Sequence, residues 1–137
     1  MSSRVYSVTS WKCLIEDARK TERDNRLHPD RPAATPYVRS TLADDAHTVV
    51  AASDYVTSVP LTLAKWMPAN YSVLGTDGFG RSEDRRRLRR FFEVDAEHIA
   101  LAALYELAKG GHYPAEKLTT AIRELDIDPE KAPPWTV

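Results

Sequence analysis

The stretch YSVLGTDGFGRSEDRRRLRRFFEVD, residues 71–95, runs from strand to loop to helix without a linker. Tyr71, Val73 and Leu74 suit a buried strand, and Gly75 ends it. GTDGFG is then a polar, Gly-rich loop. From about Glu83 to Glu93 the chain reads as a helix whose buried face is Leu88, Phe91 and Phe92. Acids at its start and bases at its end suit the helix dipole. The loop lacks the lysine and Ser/Thr of a P-loop, and Gly75, Gly78 and Gly80 miss the G-x-G-x-x-G spacing of dinucleotide folds. The glycines are expected to permit positive φ or close backbone approach, with Phe79 anchoring the loop as a buried side chain.

The same strand-to-helix pattern recurs upstream. RVYSVT alternates and predicts a strand, followed by a helix over WKCLIEDARKTER with Ser10 as its cap and Trp11, Leu14, Ile15 and Ala18 on one face. The helical pattern fades near Arg23. Residues 24–46, containing Pro29, Pro32 and Pro36, predict a surface excursion or an arm that packs on a partner. HTVVAAS predicts a strand buried on both faces, and DYVTSVPLTLAKWM a helix that begins or kinks near Pro60. After residue 95 come AEHIALAALYELAK, capped by Asp95 and stopped by Gly110 and Gly111, and a last helix opening at Pro114 with Leu118, Ile122 and Leu125 in one stripe. Residues 126–137 form a proline-stiffened tail. Strand and helix in alternation predict one domain over 1–137, of α/β class with three layers: a mainly parallel sheet flanked by helices.

Composition narrows the function classes. The chain has 137 residues, 42% hydrophobic and 28% charged, with 19 basic and 20 acidic residues for a net charge of −1. That balance offers no general attraction to nucleic acid or anionic membrane. No run approaches the ~20 apolar residues of a membrane span, and the N-terminus has no signal-peptide pattern, so a cytoplasmic location is expected. Cys13 is the sole cysteine, which suits a reducing compartment, and is expected to be a small buried side chain. The arginines at 85, 86, 87, 89 and 90 sit among Glu83, Asp84 and Glu93 without interleaved aromatics, which disfavours a nucleic-acid face and favours a solvated or subunit-contacting one. His28, His47, His98 and His112 lack metal-ligand spacing, and no nucleophile elbow occurs. No catalytic residue and no metal site can be assigned.

Ser10, Ser53 with Asp54, and Thr76 with Asp77 end the three expected strands. The plainer reading makes them helix caps. The alternative makes them a crevice at the carboxyl edge of the sheet, where α/β folds bind ligands, with the loop Thr76, Asp77, Gly78, Phe79, Gly80, Arg81, Ser82 beside it and Arg81 as a charge partner for a small anion.

Read together, RVYSVTSWKCLIEDA, ERDNRLHP, YSVLGTDGFGRSEDRRRLRRFFEVDAEHIALAALYELAKGG and AIRELDIDPEKAPPW resemble the C-terminal end of the homodimeric, bacterial-type pyruvate dehydrogenase first component. This is a thiamine-diphosphate-dependent decarboxylating family whose last domain is transketolase C-terminal-like. LGTDGFGRS followed by FFEVD is the sharpest part of the likeness, which spans about Val5 to Trp135. The resemblance implies a domain for subunit packing and for framing the active-site region. In that family thiamine diphosphate and Mg²⁺ are held by other segments, absent here, so no cofactor is expected in this chain and no family catalytic residue transfers to it. The family domain also begins with a further strand and helix before the segment matching RVYSVTS. The sheet is therefore expected to be completed by another chain or by strand exchange in a homodimer.

Two functions are expected from this. The first is a detached structural and assembly domain of a pyruvate dehydrogenase first component, inactive alone, whose partners are itself or the thiamine-binding domains. The second is a stand-alone binding or regulatory module using the carboxyl-edge crevice. An independent enzyme is disfavoured because no acid–base pair, nucleophile or metal set can be assembled.

Overall fold

The computed structural model describes residues 2–43 and 45–137; Met1 and Asp44, inside the 1–137 and 24–46 spans above, lie outside the described residues. The first helix, α1 (Trp11–Leu27), starts where Ser10 accepts the Cys13 amide at 3.2 Å. It runs four residues beyond Arg23. Asn25 explains the extra turn: its amide donates to the Ala34 carbonyl and its oxygen accepts the Ala34 amide, both at 2.8 Å, so the proline segment is folded back along the helix. Cys13 lies off the apolar face and is exposed, not buried as its apolar neighbours suggested.

Among the described residues one strand pair forms the sheet. β1 (Val49–Ala52) lies parallel to β2 (Tyr71–Leu74), with Val49 opposite Tyr71 and Ala52 opposite Leu74. The crossover between them holds α2 (Ser58–Leu61) and a 3₁₀ turn over Ala64–Trp66. Pro60 sits inside α2 and is buried, as a proline in a first turn can be. The core gathers Ala18, Val38, Ala43, Leu63 and Met67, with Trp11, Leu14, Ile15, Val49 and Tyr71 packed against it. Val38 belongs to a π-helical turn, Val38–Leu42, so the proline-containing stretch contributes to the core. The Tyr71 hydroxyl donates to the Pro60 carbonyl at 3.0 Å, and burial pushes its phenol up to about 12.

Two expectations about strands are corrected. Residues 2–9 have no regular structure, and Val5 is 94% exposed. RVYSVT has strand propensity, but a strand exists only against a ladder partner, and among the described residues none lies beside it. The Tyr6 hydroxyl instead donates to the Thr41 carbonyl at 3.2 Å. β1 is only half-buried along Val49–Ala51 and exposed at Ala52, because the sheet has two strands and leaves its edges open.

The remaining helices are α3 (Arg85–Phe91), α4 (Ala96–Lys109) and α5 (Leu118–Glu124), the last preceded by a 3₁₀ turn at Ala115–Lys117. α4 packs on both strands and on α5. Helix α3 is shorter than expected, and its first turn holds no acid: Asp84 is the cap, accepting the Arg87 amide at 3.0 Å, and Arg85 to Arg87 follow it. The acids expected in the first turn thus stand just before it, where the Asp84 carboxylate still faces the N-terminal end of the dipole.

Asp95 shows how α4 is held. It accepts the His98 amide at 3.0 Å, bonds the His98 ring, and pairs with Arg90 at 3.1 Å. Burial alone would raise its pKa; the bonds from His98 and Arg90 outweigh burial and hold the carboxyl below its usual value. A depressed carboxylate stabilises the fold fully above the unfolded value near 3.9, and loses that contribution as pH falls through the lower folded value. Asp95→Ala is expected to cost about 1–2 kcal/mol near neutral pH. In urea titrations the gap to the parent should close as pH is lowered below about 4; a gap that stays constant with pH would refute the assignment.

Candidate functional site

The two strands end side by side, and their trailing loops are tied to each other. Ser53 donates its amide to the Leu74 carbonyl at 3.1 Å, and Thr76 donates its amide to Tyr55 at 3.0 Å. The Thr76 hydroxyl donates to the Asp54 carbonyl at 2.6 Å. Asp77 accepts both the amide of Thr57, at 3.1 Å, and its hydroxyl, at 2.6 Å. Ser53 Oγ accepts the Tyr55 amide at 3.2 Å. Gly75 is required by this closeness: a Cβ there would lie 2.5 Å from the Tyr55 carbonyl oxygen and 3.0 Å from Thr57.

Both sequence readings of these residues therefore need revision. Ser10 is a helix cap, but Ser53, Thr76 and Asp77 cap nothing. The helix after β1 has no side-chain cap, and the helix after β2 is capped by Asp84. Their polar groups brace one loop against the other. Ser10 stands apart from them, in an open crevice of about 360 Å³ shared with Trp11, Lys12 and Tyr55. Ser53 and Asp54 do not line that crevice, and neither does the 76–82 loop.

Beyond Asp77 the loop meets the tail. Gly78 has φ +95°, and a Cβ on it would lie 2.9 Å from the Trp135 Cα and 3.2 Å from the Pro134 carbonyl oxygen. The tail backbone thus occupies the ground beneath the loop. Phe79 is turned outward and 85% exposed, so it is not the buried anchor expected of it. Gly80 and Ser82 are exposed. Arg81 leaves the loop to stack its guanidinium 4.1 Å from the centroid of Phe91, away from the strand ends where it was expected to meet an anion.

The tail is fastened at a second point. Lys131 Nζ donates to the Phe91 carbonyl at 2.7 Å and pairs with Glu93 at 2.9 Å. It closes the C-terminal end of α3, beyond which Glu93 takes a left-handed φ of 60°. Sequence reasoning missed Thr57, Lys131 and Trp135. Only the tryptophan in a proline-stiffened tail carried a signal for tertiary contact.

Among the groups this edge displays to solvent are several apolar side chains. Tyr55, Val56, Phe79, Trp135 and Val137 are all exposed, and the loops and tail that carry them touch one another. Among the described residues no cluster of three or more His, Cys, Asp or Glu stands ready for a metal, and no helix is long and apolar enough to cross a membrane.

Residues 1–95 match the family described as the transketolase-like TK C-terminal domain, and the chain belongs to that family. Over nearly its whole length it is similar to proteins named pyruvate dehydrogenase E1 component. The one from Mycolicibacterium smegmatis is 42% identical over 93% of this chain and 14% of its own length. That from Escherichia coli K12 is 42% identical over 98% of this chain and 15% of its own length. A third, from Mycobacterium tuberculosis, is 40% identical over 98% and 14%. The chain thus spans about one seventh of the length of these relatives.

Proposed function

We propose that this chain is a packing domain of a pyruvate dehydrogenase first component and performs no chemistry alone. One observation carries the reading. The exposed apolar side chains Tyr55, Val56 and Phe79 stand on the two loops that the Thr57–Asp77 and Thr76–Asp54 bonds tie together, and Trp135 stands on the tail beside Gly78. Braced apolar loops with aromatic anchors suit a protein interface. Two polar groups of the edge are engaged internally, Asp77 by Thr57 and Arg81 by Phe91. They do not fit a diphosphate or Mg²⁺, which this reading assigns to other segments of a thiamine-dependent enzyme. The reaction served is decarboxylation of pyruvate with acetyl transfer to a lipoyl group, in the cytoplasm. Residues 1–137 act as one unit, and the open edge of β1 accepts a strand from a partner or from a second copy.

Light scattering of the chain, alone and mixed with the thiamine-binding domains of such an enzyme, tests the proposal. Association with recovery of pyruvate decarboxylation is expected. Phe79→Ala with Trp135→Ala should weaken that association about tenfold or more while leaving the melting temperature nearly unchanged. A folded monomer indifferent to those domains would overturn the reading. It would favour instead a binding module built on the crevice of about 360 Å³ at Ser10, Lys12 and Tyr55, to be searched by ligand-dependent shifts in melting temperature.

A further inference from the structure

Helix α3 concentrates positive charge on one face. Arg85, Arg86 and Arg87 fill its first turn, just inside the Asp84 cap. Arg85 and Arg89 stand at i,i+4, and Arg86 and Arg89 at i,i+3, so like charges are stacked along the surface. The neighbouring arginines are all engaged. Arg81 lies on Phe91, Arg87 pairs with Glu83 and Asp84, and Arg90 pairs with Asp95 and donates to the Asp126 carbonyl. Arg85, Arg86 and Arg89 are exposed and have no ion-pair partner among the described residues. These three line a surface groove of about 330 Å³ with Ala96 and Asp95. Asp95 cannot neutralise them, because its carboxylate is held by Arg90 and His98.

A local conflict of this kind is expected where function has overridden stability. We propose that the Arg85–Arg86–Arg89 groove docks an acidic polypeptide segment of a partner protein. Guanidinium forks match carboxylates in pairs, and three of them at helical spacing suit Asp and Glu side chains along an extended or helical segment. Nucleic acid fits less well. The groove has no aromatic side chain on which bases could stack, the nearby Phe91 is covered by Arg81 and Lys131, and the chain is net acidic at −1. This face is separate from the apolar edge, and the inference stands whether or not that edge docks a thiamine-binding domain.

Fluorescence anisotropy with a labelled peptide of alternating Asp and Glu, at low and at moderate salt, provides the test. Saturable binding that weakens with salt is expected. R85Q/R86Q/R89Q should lose it about tenfold or more, with a melting temperature equal to or above that of the parent, since the repulsion is relieved. F79A/W135A should bind the peptide like the parent, which separates this face from the other. Absence of binding, or binding untouched by the triple substitution, would overturn the proposal. Tighter capture of a single-stranded oligonucleotide than of the peptide would overturn it in favour of nucleic acid. A doubled mass that reverts to monomer in the triple variant would overturn it in favour of a second copy.

Discussion

Replacing Gly75 by alanine is expected to destabilise the chain by about 3 kcal/mol, a fall in melting temperature of roughly 10 °C for a domain of this size. A methyl group there meets the Tyr55 carbonyl oxygen at 2.5 Å and Thr57 at 3.0 Å, and both obstacles include backbone atoms. A flexible side chain could swing away; a carbonyl held by the Thr76 amide at 3.0 Å cannot move without breaking the brace. The loops after β1 and β2 would have to part, and the Thr57–Asp77 bonds would be lost with them. The variant should also bind partner domains poorly even where it remains folded. Thermal and urea unfolding measure the effect. A change below about 0.5 kcal/mol would mean that the loops are not packed as described.

Leu63→Ala should cost about as much or more, roughly 3–4 kcal/mol, for a different reason. Leu63 is fully buried in the crossover between β1 and β2, and it shares the core with Ala18, Val38, Ala43 and Met67. Two of those four neighbours are alanines with no side-chain reach to collapse into the space. The cavity would thus persist, and residual cavity volume adds to the lost transfer energy. Urea titration should report a lower midpoint with an unchanged slope. Leu63→Met, which nearly conserves volume, should cost less than about 1.5 kcal/mol. If the two substitutions proved equally mild, Leu63 would not be central to the core.

These two positions differ in how far the sequence announces them. Helix α4 was legible from end to end because its signals are local: Asp95 at the cap, an apolar run, then Gly110 and Gly111 at the stop. β2 was legible for the same reason, a short apolar run closed by Gly75. RVYSVT misled because a strand depends on a neighbour, and propensity does not reveal whether one is present. The bracing of the candidate site was also invisible. Thr57 and Asp77 stand twenty residues apart, and nothing in either local context pairs them. A helix cap was the reasonable local reading of Asp77, and tertiary structure overrode it. Phe79 failed in the same way, since an aromatic side chain in a Gly-rich loop does not reveal locally whether anything covers it. The excess of arginine on α3 was plain in the sequence. Its unusual character emerged only once the helix was seen to begin at Arg85, with the acids left outside.

The tail fixed at Lys131 and beneath Gly78 has a kinetic consequence. The largest buried cluster draws on residues between Trp11 and Tyr71, and Phe92, Val94 and Ala121 are buried as well. Residues 126–137 are mostly exposed and are tied down by few side chains, Lys131 chief among them, and such segments open at the low end of local stability. Amide exchange should therefore sort the chain into two clocks, a slow one for the core and a fast one for residues 126–137. Each brief release of the tail would bare the underside of the Gly78 loop while the remainder stays folded. A partner that arrives in that interval meets a larger apolar surface than the resting molecule displays, so the pace of tail opening sets an upper limit on how quickly that fuller contact can form.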